Sequence, residues 1–393
     1  MTGTQTAPAE PAAPPASGAW RHGDPPGRRL FADLGTLVTE QGVPIPDARI
    51  AYETFGTLAP DRGNALLVLH GLSGDSHLAG PAGPGHPAPG WWTSIVGPGR
   101  PIDTDRWFAV VPNMLGGCQG STGPSSPAPD GREWAERFPD ITIRDQAAAL
   151  AGFADVIGLD TFAAVIGVSM GGMHALEFAL QVPARVGRLA VIAAPPTSTA
   201  DQIAMNAIQR DAILADPRFR SGQYYDAADG DGPHRGLALA RRLGMTTYRS
   251  PELFEERFGR SIDTGGTTGS PDARFAIESY LDSQSRRFTH RFDANTYLAL
   301  TRAKNSHDIG RGRGSITRAL ALLTMPTLVI GISSDRLFPV AGQAVIAAGA
   351  PGSIDGGRPS VIESRHGHDA FLIEAHQVGE HLVRLLEGHG AQS

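Results

Sequence analysis

Short apolar runs recur along the chain between clusters of turn residues. Residues 65–70, 107–111, 162–168, 189–193, 327–332 and 360–363 are of this kind. Their length and their lack of alternation predict strands covered on both faces. Two earlier segments differ. Residues 35–38 read as a short strand, and 49–54 alternate polar and apolar as a half-buried strand does. Between the strands, 144–157, 170–181 and 370–386 carry apolar residues at helical spacing. Strands alternating with helices predict an α/β fold, a mostly parallel sheet flanked by helices. The rhythm breaks from about 196 to 315. This stretch is richer in Arg and Asp, is helical over 203–214, 236–243 and 276–288, and has Gly-rich turns. It reads as an insertion over the C-terminal edge of the sheet, where open α/β sheets place their ligands. No internal repeat or heptad pattern is present.

Composition narrows the class. The 393 residues are 41% hydrophobic, enough for one large domain or two small ones. With 34 Lys+Arg against 40 Asp+Glu the formal net charge is −6, unlike a general nucleic-acid binder or a polybasic membrane protein. A single cysteine excludes a disulfide framework and any multi-cysteine metal site. No apolar run is long enough to span a membrane. The first 27 residues hold 6 Pro, 6 Ala and 4 Gly without an apolar h-region, so they read as a disordered tail and not a targeting peptide. A reduced cytoplasmic enzyme is the expectation. The domain reading is a tail over 1–28, a core over 29–195 and 316–393, and a helical lid over 196–315.

The chemistry centres on Gly167-Val168-Ser169-Met170-Gly171, a G-x-S-x-G motif between a predicted strand and a predicted helix. That context holds a serine exposed above a sheet edge, at a helix N-terminus that favours an anion. A serine hydroxyl needs a base, and the base needs an orienting carboxylate. Asp335 and His368 each follow a predicted strand and therefore reach the same edge. His366 is the nearest rival for the base. The oxyanion donors expected are the amides of Met170 and of Leu72, in the loop after the first buried strand. His70, His77, His86 and His307 show no ligand motif, so no metal is expected. Cys118 reads as structural. Gly310-Arg311-Gly312-Arg313-Gly314 lacks the Gly-Lys-Ser/Thr of a phosphate loop and reads as a solvated basic loop. Trp91 and Trp92 read as packing.

Several separate blocks resemble the homoserine O-acetyltransferase family of the α/β-hydrolase superfamily. They include Gly74-Asp75-Ser76-His77, the stretch 113–124, Ser169-Met170-Gly171-Gly172-Met173, Asn305-Ser306-His307-Asp308, the stretch 334–339 and Gly367-His368-Asp369. The resemblance covers about 34–386. It implies an α/β-hydrolase fold with a helical lid, and a triad of Ser169, Asp335 and His368. Acetyl-CoA would be a co-substrate with no bound cofactor, and would acylate Ser169. The hydroxyl of L-homoserine would then attack in a ping-pong transfer. Arg241 and Asp369 match the family's amino-acid-binding positions, with Arg242 as the immediate rival of Arg241. Tyr248 matches a lid tyrosine. A cytoplasmic homodimer acting in methionine biosynthesis is also implied. The family commonly has Ala and Thr where this chain has Gly71 and Ser73, and Gly in place of Val168. The first two bear on donor and acceptor. Serine in place of homoserine, or succinyl-CoA in place of acetyl-CoA, remains open on the same framework. So does water as acceptor, which would make an esterase or thioesterase.

Overall fold

The buried apolar runs become the centre of one sheet. In a computed structural model, which describes residues 13–264, 267, 270 and 272–388, eight strands join in it. They are β1 (Leu30–Val38), β2 (Pro44–Phe55), β3 (Ala65–Leu69), β4 (Phe108–Pro112), β5 (Ala164–Val168), β6 (Leu189–Ile192), β7 (Thr327–Ile332) and β8 (Ser360–Ile362). Their order is β1-β2-β4-β3-β5-β6-β7-β8. β1 and β2 pair antiparallel, β2 meets β4 antiparallel, and from β4 to β8 the sheet is parallel. Every residue of β3, β5, β6 and β7 is buried. Alternate residues serve the two faces. Leu67, Leu69, Val165 and Val191 pack with Phe153 and Phe178 on one side. Leu66, Val68, Ile166 and Ile192 pack with Trp92 and Leu382 on the other.

Helix α1 (Ile143–Val156) starts at a reciprocal cap. Thr142 Oγ1 accepts from the Asp145 amide, and Asp145 Oδ2 accepts from the Thr142 amide at 2.8 Å. Helix α2 (Met170–Gln181) leaves β5 directly. Between β6 and β7 lie α3 (Ala200–Leu214), α4 (His234–Tyr248), α5 (Pro251–Phe258), α6 (Ala276–Thr289), α7 (Ala294–Asn305) and the short α8 (Ile316–Leu320). α3 packs on α4 and α7, and α4 packs on α6. Helix α9 (Val340–Gly349) follows β7. The single helix expected over 370–386 is two, α10 (Ala370–Ile373) and α11 (Ala375–Glu387), broken at Glu374. The Trp92 indole N–H donates to the Phe371 carbonyl at 2.9 Å, taking an acceptor from the helical ladder.

The tail expectation needs correction over its described part. Residues 13–28 form no helix or strand, but 16–21 are docked. Ser17 Oγ donates to Asp293 Oδ1 at 2.7 Å, and the Trp20 amide donates to the Cys118 carbonyl at 2.9 Å. Gly18 lies so close to the 290–292 backbone that a Cβ would come within 2.5 Å of the Arg291 nitrogen. Composition hid this because the anchors are polar and the apolar ones, Ala16 and Ala19, are small. Residues 1–12 lie outside the described residues. No helix among the described residues is long and apolar enough to cross a membrane.

Candidate active site

Strand β5 runs into Ser169 and α2 runs out of it. The turn between them is strained: Ser169 has φ 56° and ψ −125°. Close packing on all sides makes that turn possible. A Cβ on Gly171 would meet the Leu69 carbonyl oxygen at 2.1 Å, and one on Gly167 would meet the Gly171 oxygen at 2.1 Å. The Ser169 amide donates to the Ile192 carbonyl at 2.9 Å, which pins the turn to the neighbouring strand.

Asp335 and His368 come from the turns after β7 and β8, as their strand-end positions predict. His368 Nε2 lies 2.8 Å from Ser169 Oγ. His368 Nδ1 lies 2.6 Å from Asp335 Oδ2. Asp335 Oδ1 accepts from the amides of Leu337 and Phe338 at 2.8 and 2.9 Å. The carboxylate is therefore held from both ends. With Nδ1–H donating to the Asp335 carboxylate, Nε2 is left as an acceptor facing the hydroxyl. Phe338 and Phe371 present edges to the imidazole at ring separations of 5.2 and 5.5 Å and fix its plane. Such a chain can take the serine proton as the oxygen attacks a carbonyl carbon. His366 is turned toward Glu374 instead, with Nε2 3.9 Å from its carboxylate.

The 71–74 loop closes over the serine. His70 donates from Nδ1 to the Gly71 carbonyl at 2.7 Å and accepts the Met114 amide at Nε2, 3.3 Å away. Burial lowers its pKa, which suits a neutral ring making both bonds. Among the described residues, the amides of Leu72 and Met170 have no hydrogen-bond acceptor. Both residues line the cavity that holds Ser169. Two free amides there can receive an oxyanion.

That cavity has a volume of about 200 Å³ and also takes in Arg241, Tyr248, His368 and Asp369. The Arg241 guanidinium lies over the Tyr248 ring at 5.2 Å and the Phe288 ring at 4.7 Å. Its Nε is buried with no partner among the described residues. Arg242, the sequence rival, is turned away and ion-paired with Asp282. Tyr248 is half-buried, and desolvation pushes its phenol pKa up. Asp369 is paired with Arg249 at 3.0 Å, a contact that no motif announced.

A family profile described as the alpha/beta hydrolase fold matches residues 64–374. The homoserine O-acetyltransferase of Clavibacter michiganensis subsp. michiganensis is 59% identical over 374 residues, 95% of this chain and 96% of that relative. That of Thermobifida fusca is 52% identical, over 95% and 97%. The chain belongs to the homoserine O-acetyltransferase family. Among solved structures, the homoserine O-acetyltransferase of Bacillus anthracis superposes with TM-score 0.82 at 27% identity, covering 91% of this chain and 97% of that one. Esterase E22 superposes equally well, TM-score 0.82 at 26% identity over 91% and 99%. The framework is thus shared by transferases and esterases.

Within this family framework the cavity holds groups that sequence reasoning missed. Arg291 lines it and donates from Nη1 to the Ser73 carbonyl at 2.9 Å, bracing the loop that carries Leu72. Lys304 on α7 is only 6% exposed, and desolvation pulls its pKa down to about 8. Trp91, read as packing, also lines the cavity; Trp92 is the packing member of the pair. Neither Arg291 nor Lys304 sits in a motif, so only a view of the pocket finds them. Cys118 is buried and its thiol is pushed up to about 12, which keeps it protonated and inert. The basic loop expected at 310–314 is not solvated throughout. Arg313 is paired with Glu177 and Arg311 with Glu40. His77 and His86, which show no ligand motif in the sequence, stack at 4.0 Å beside the buried Glu53, and the three bring possible metal-ligand atoms within 4.8 Å of one another. Glu53 accepts from His77 Nδ1 at 3.2 Å and from Ser76 Oγ at 2.8 Å, while His86 Nε2 accepts the Arg28 amide at 3.2 Å.

Proposed function

We propose that this chain is a homoserine O-acetyltransferase working through an acetyl-Ser169 intermediate, within a lid-covered α/β-hydrolase core. Ser169 Oγ attacks the thioester carbon of acetyl-CoA while His368 takes its proton and passes it to the departing CoA sulfur. Asp335 holds the imidazole and balances its charge. The amides of Leu72 and Met170 receive the oxyanion. Homoserine then enters, its carboxylate gripped by Arg241 and its ammonium accepted by Asp369. His368 takes the proton from the γ-hydroxyl as that oxygen attacks the acyl carbon, and the proton returns to Ser169. Acetyl-CoA is a co-substrate, and no bound cofactor takes part. A lid over 196–315, a homodimer, a cytoplasmic setting and a place in methionine biosynthesis belong to the same reading.

The observation that carries the transferase over the hydrolase is Arg241. A guanidinium without a carboxylate partner among the described residues, stacked on aromatic rings inside the serine's own cavity, suits an amino-acid carboxylate. Water as acceptor needs no such grip. The test is CoA release from acetyl-CoA with homoserine, with serine or with no acceptor, using Ser169→Ala as the blank. Release that depends on homoserine supports the reading. Preference for serine, one methylene shorter and worth roughly 1–3 kcal/mol in a pocket, moves the chain to the serine branch. Equal release without acceptor makes it a thioesterase.

A further inference from the structure

Asp369, proposed above to accept the homoserine ammonium, does not stand free. Arg249 Nη2 lies 3.0 Å from Asp369 Oδ2, with both side chains largely sheltered at 20% and 23% exposure. Among the described residues Asp369 Oδ1 has no hydrogen-bond partner. A carboxylate has lone pairs on both oxygens, so one can be held while the other receives a ligand.

The chain around Arg249 is seated on the histidine turn. Arg249 ends α4, the helix that carries Arg241 and Tyr248. Gly367, just before His368, has φ +68°, and a Cβ there would meet the Tyr248 oxygen at 2.6 Å and the Arg249 Cα at 2.9 Å. The two backbones touch because that position is bare. Ser250 Oγ donates to the Arg365 carbonyl at 2.6 Å while also capping α5 through the Leu253 amide. Arg336, next to Asp335, donates to the Thr246 carbonyl at 3.3 Å. The end of α4 is therefore clamped to the turn that bears His368 and Asp369.

We infer that Arg249 is a positioning residue for the acceptor: it holds Asp369 by Oδ2 and aims Oδ1 at the substrate ammonium. Helix α4 and its C-cap then supply both halves of amino-acid recognition, Arg241 directly on the carboxylate and Arg249 through Asp369 on the ammonium. The inference rests on the amino-acid site proposed above. Its consequence is selective. Arg249 matters for an acceptor that carries an ammonium and not for the same chain without one, and it plays no part in forming the acyl-enzyme.

The test is kinetic, on the full chain. Arg249→Ala, Arg249→Lys, Asp369→Asn and the Arg249→Ala/Asp369→Asn pair are compared with wild type. Homoserine is set against 4-hydroxybutanoate, which lacks the ammonium and is measured as acceptor or competitor. The CoA burst without acceptor reports acyl-enzyme formation. Arg249→Ala should raise the homoserine KM about tenfold, as loss of one charge-assisted contact does. The burst and the constant for 4-hydroxybutanoate should stay unchanged. Arg249→Lys should recover part of the loss. In the Asp369→Asn background, Arg249→Ala should add nothing. An unchanged homoserine KM in Arg249→Ala beside a raised one in Asp369→Asn overturns the role of Arg249 and leaves the amino-acid site standing. A parallel loss in burst, homoserine and 4-hydroxybutanoate overturns it in favour of a purely structural contact. If Asp369→Asn leaves homoserine untouched, the ammonium site falls and Arg249 falls with it.

Discussion

Arg313 holds Glu177 with both guanidinium arms, Nη2 to Oε2 at 2.8 Å and Nη1 to Oε1 at 3.0 Å. Glu177 is on α2, the helix that leaves Ser169, and its side chain is 1% exposed. Arg144 adds a third contact at 3.3 Å. Removing Arg313 takes two charge-assisted bonds from buried Glu177 and leaves Arg144 as its partner. Arg313→Ala should therefore destabilise the fold by about 2 kcal/mol, read as a lower urea midpoint. A midpoint equal to wild type would return the 310–314 loop to the solvated role expected from its sequence.

Gly171 and Gly71 both flank Ser169 but differ in the space they leave. A Cβ at Gly171 would collide with the backbone of Leu69 and His70 at 2.1–2.7 Å, where nothing can yield without moving β3. At Gly71 the nearest atom is the Ser169 Cβ at 3.3 Å. Gly171→Ala should give an insoluble or inactive protein. Gly71→Ala should fold with a near-normal thermal midpoint. Equal midpoints for the two variants would mean that the serine turn is looser than its contacts indicate.

Lys304 carries a cost at neutral pH. Desolvation lowers its pKa from 10.5 to about 8 in the fold. Between those values the unfolded chain binds more protons, so this group makes stability rise with pH there, and the cost is fully present below about 8. Lys304→Met should stabilise the protein at pH 7 by a figure of the order of 3 kcal/mol. The gap in urea midpoint between variant and wild type should close as pH climbs past 8 toward 10.5. A gap that ignores pH would mean that the ammonium is solvated in the fold.

Acid should act through buried imidazoles. His307 is buried, its pKa pulled from 6.5 to about 4, and its Nε2 donates to the Pro195 carbonyl at 3.0 Å. Burial lowers His174 and His70 as well. A histidine held neutral in the fold but protonated when unfolded contributes stability above its unfolded pKa and loses it as pH falls toward the folded value. The urea midpoint should fall between about pH 6.5 and pH 4, and His307→Asn should flatten that fall. An identical slope in the variant would remove His307 from the account.

The docked N-terminal segment should matter to stability. Asp293 is fully buried and accepts from Ser17, Tyr224 and Tyr225 at 2.7, 2.7 and 3.0 Å. Deleting residues 1–22 removes one of these donors together with the Trp20 bond to Cys118. A loss of roughly 2 kcal/mol follows from two or three hydrogen bonds. A deletion variant with an unchanged midpoint would restore these residues to a dispensable tail.

The sheet was legible because strands such as Ala164–Val168 and Leu189–Ile192 are covered on both faces and need unbroken apolar runs. Ser169, Asp335 and His368 were legible because the chemistry allows few residue types and each stands just past a strand, at one sheet edge. The groups that complete the pocket were not. Lys304 and Arg291 look like any helical lysine or loop arginine until the fold takes their solvent away.

Sequence by itself determined which segments are strands, which serine sits at the tight turn, and which aspartate and histidine follow the later strands. These are local properties, set by burial period, by backbone sterics and by residue chemistry. Tertiary structure alone decided that Arg249 meets Asp369, that Arg313 meets Glu177 and that Ser17 meets Asp293. Each pair joins residues more than a hundred positions apart. A charge or hydroxyl carries no periodic signal of its distant partner, so the pairing is fixed only when sheet order and helix packing bring the two together.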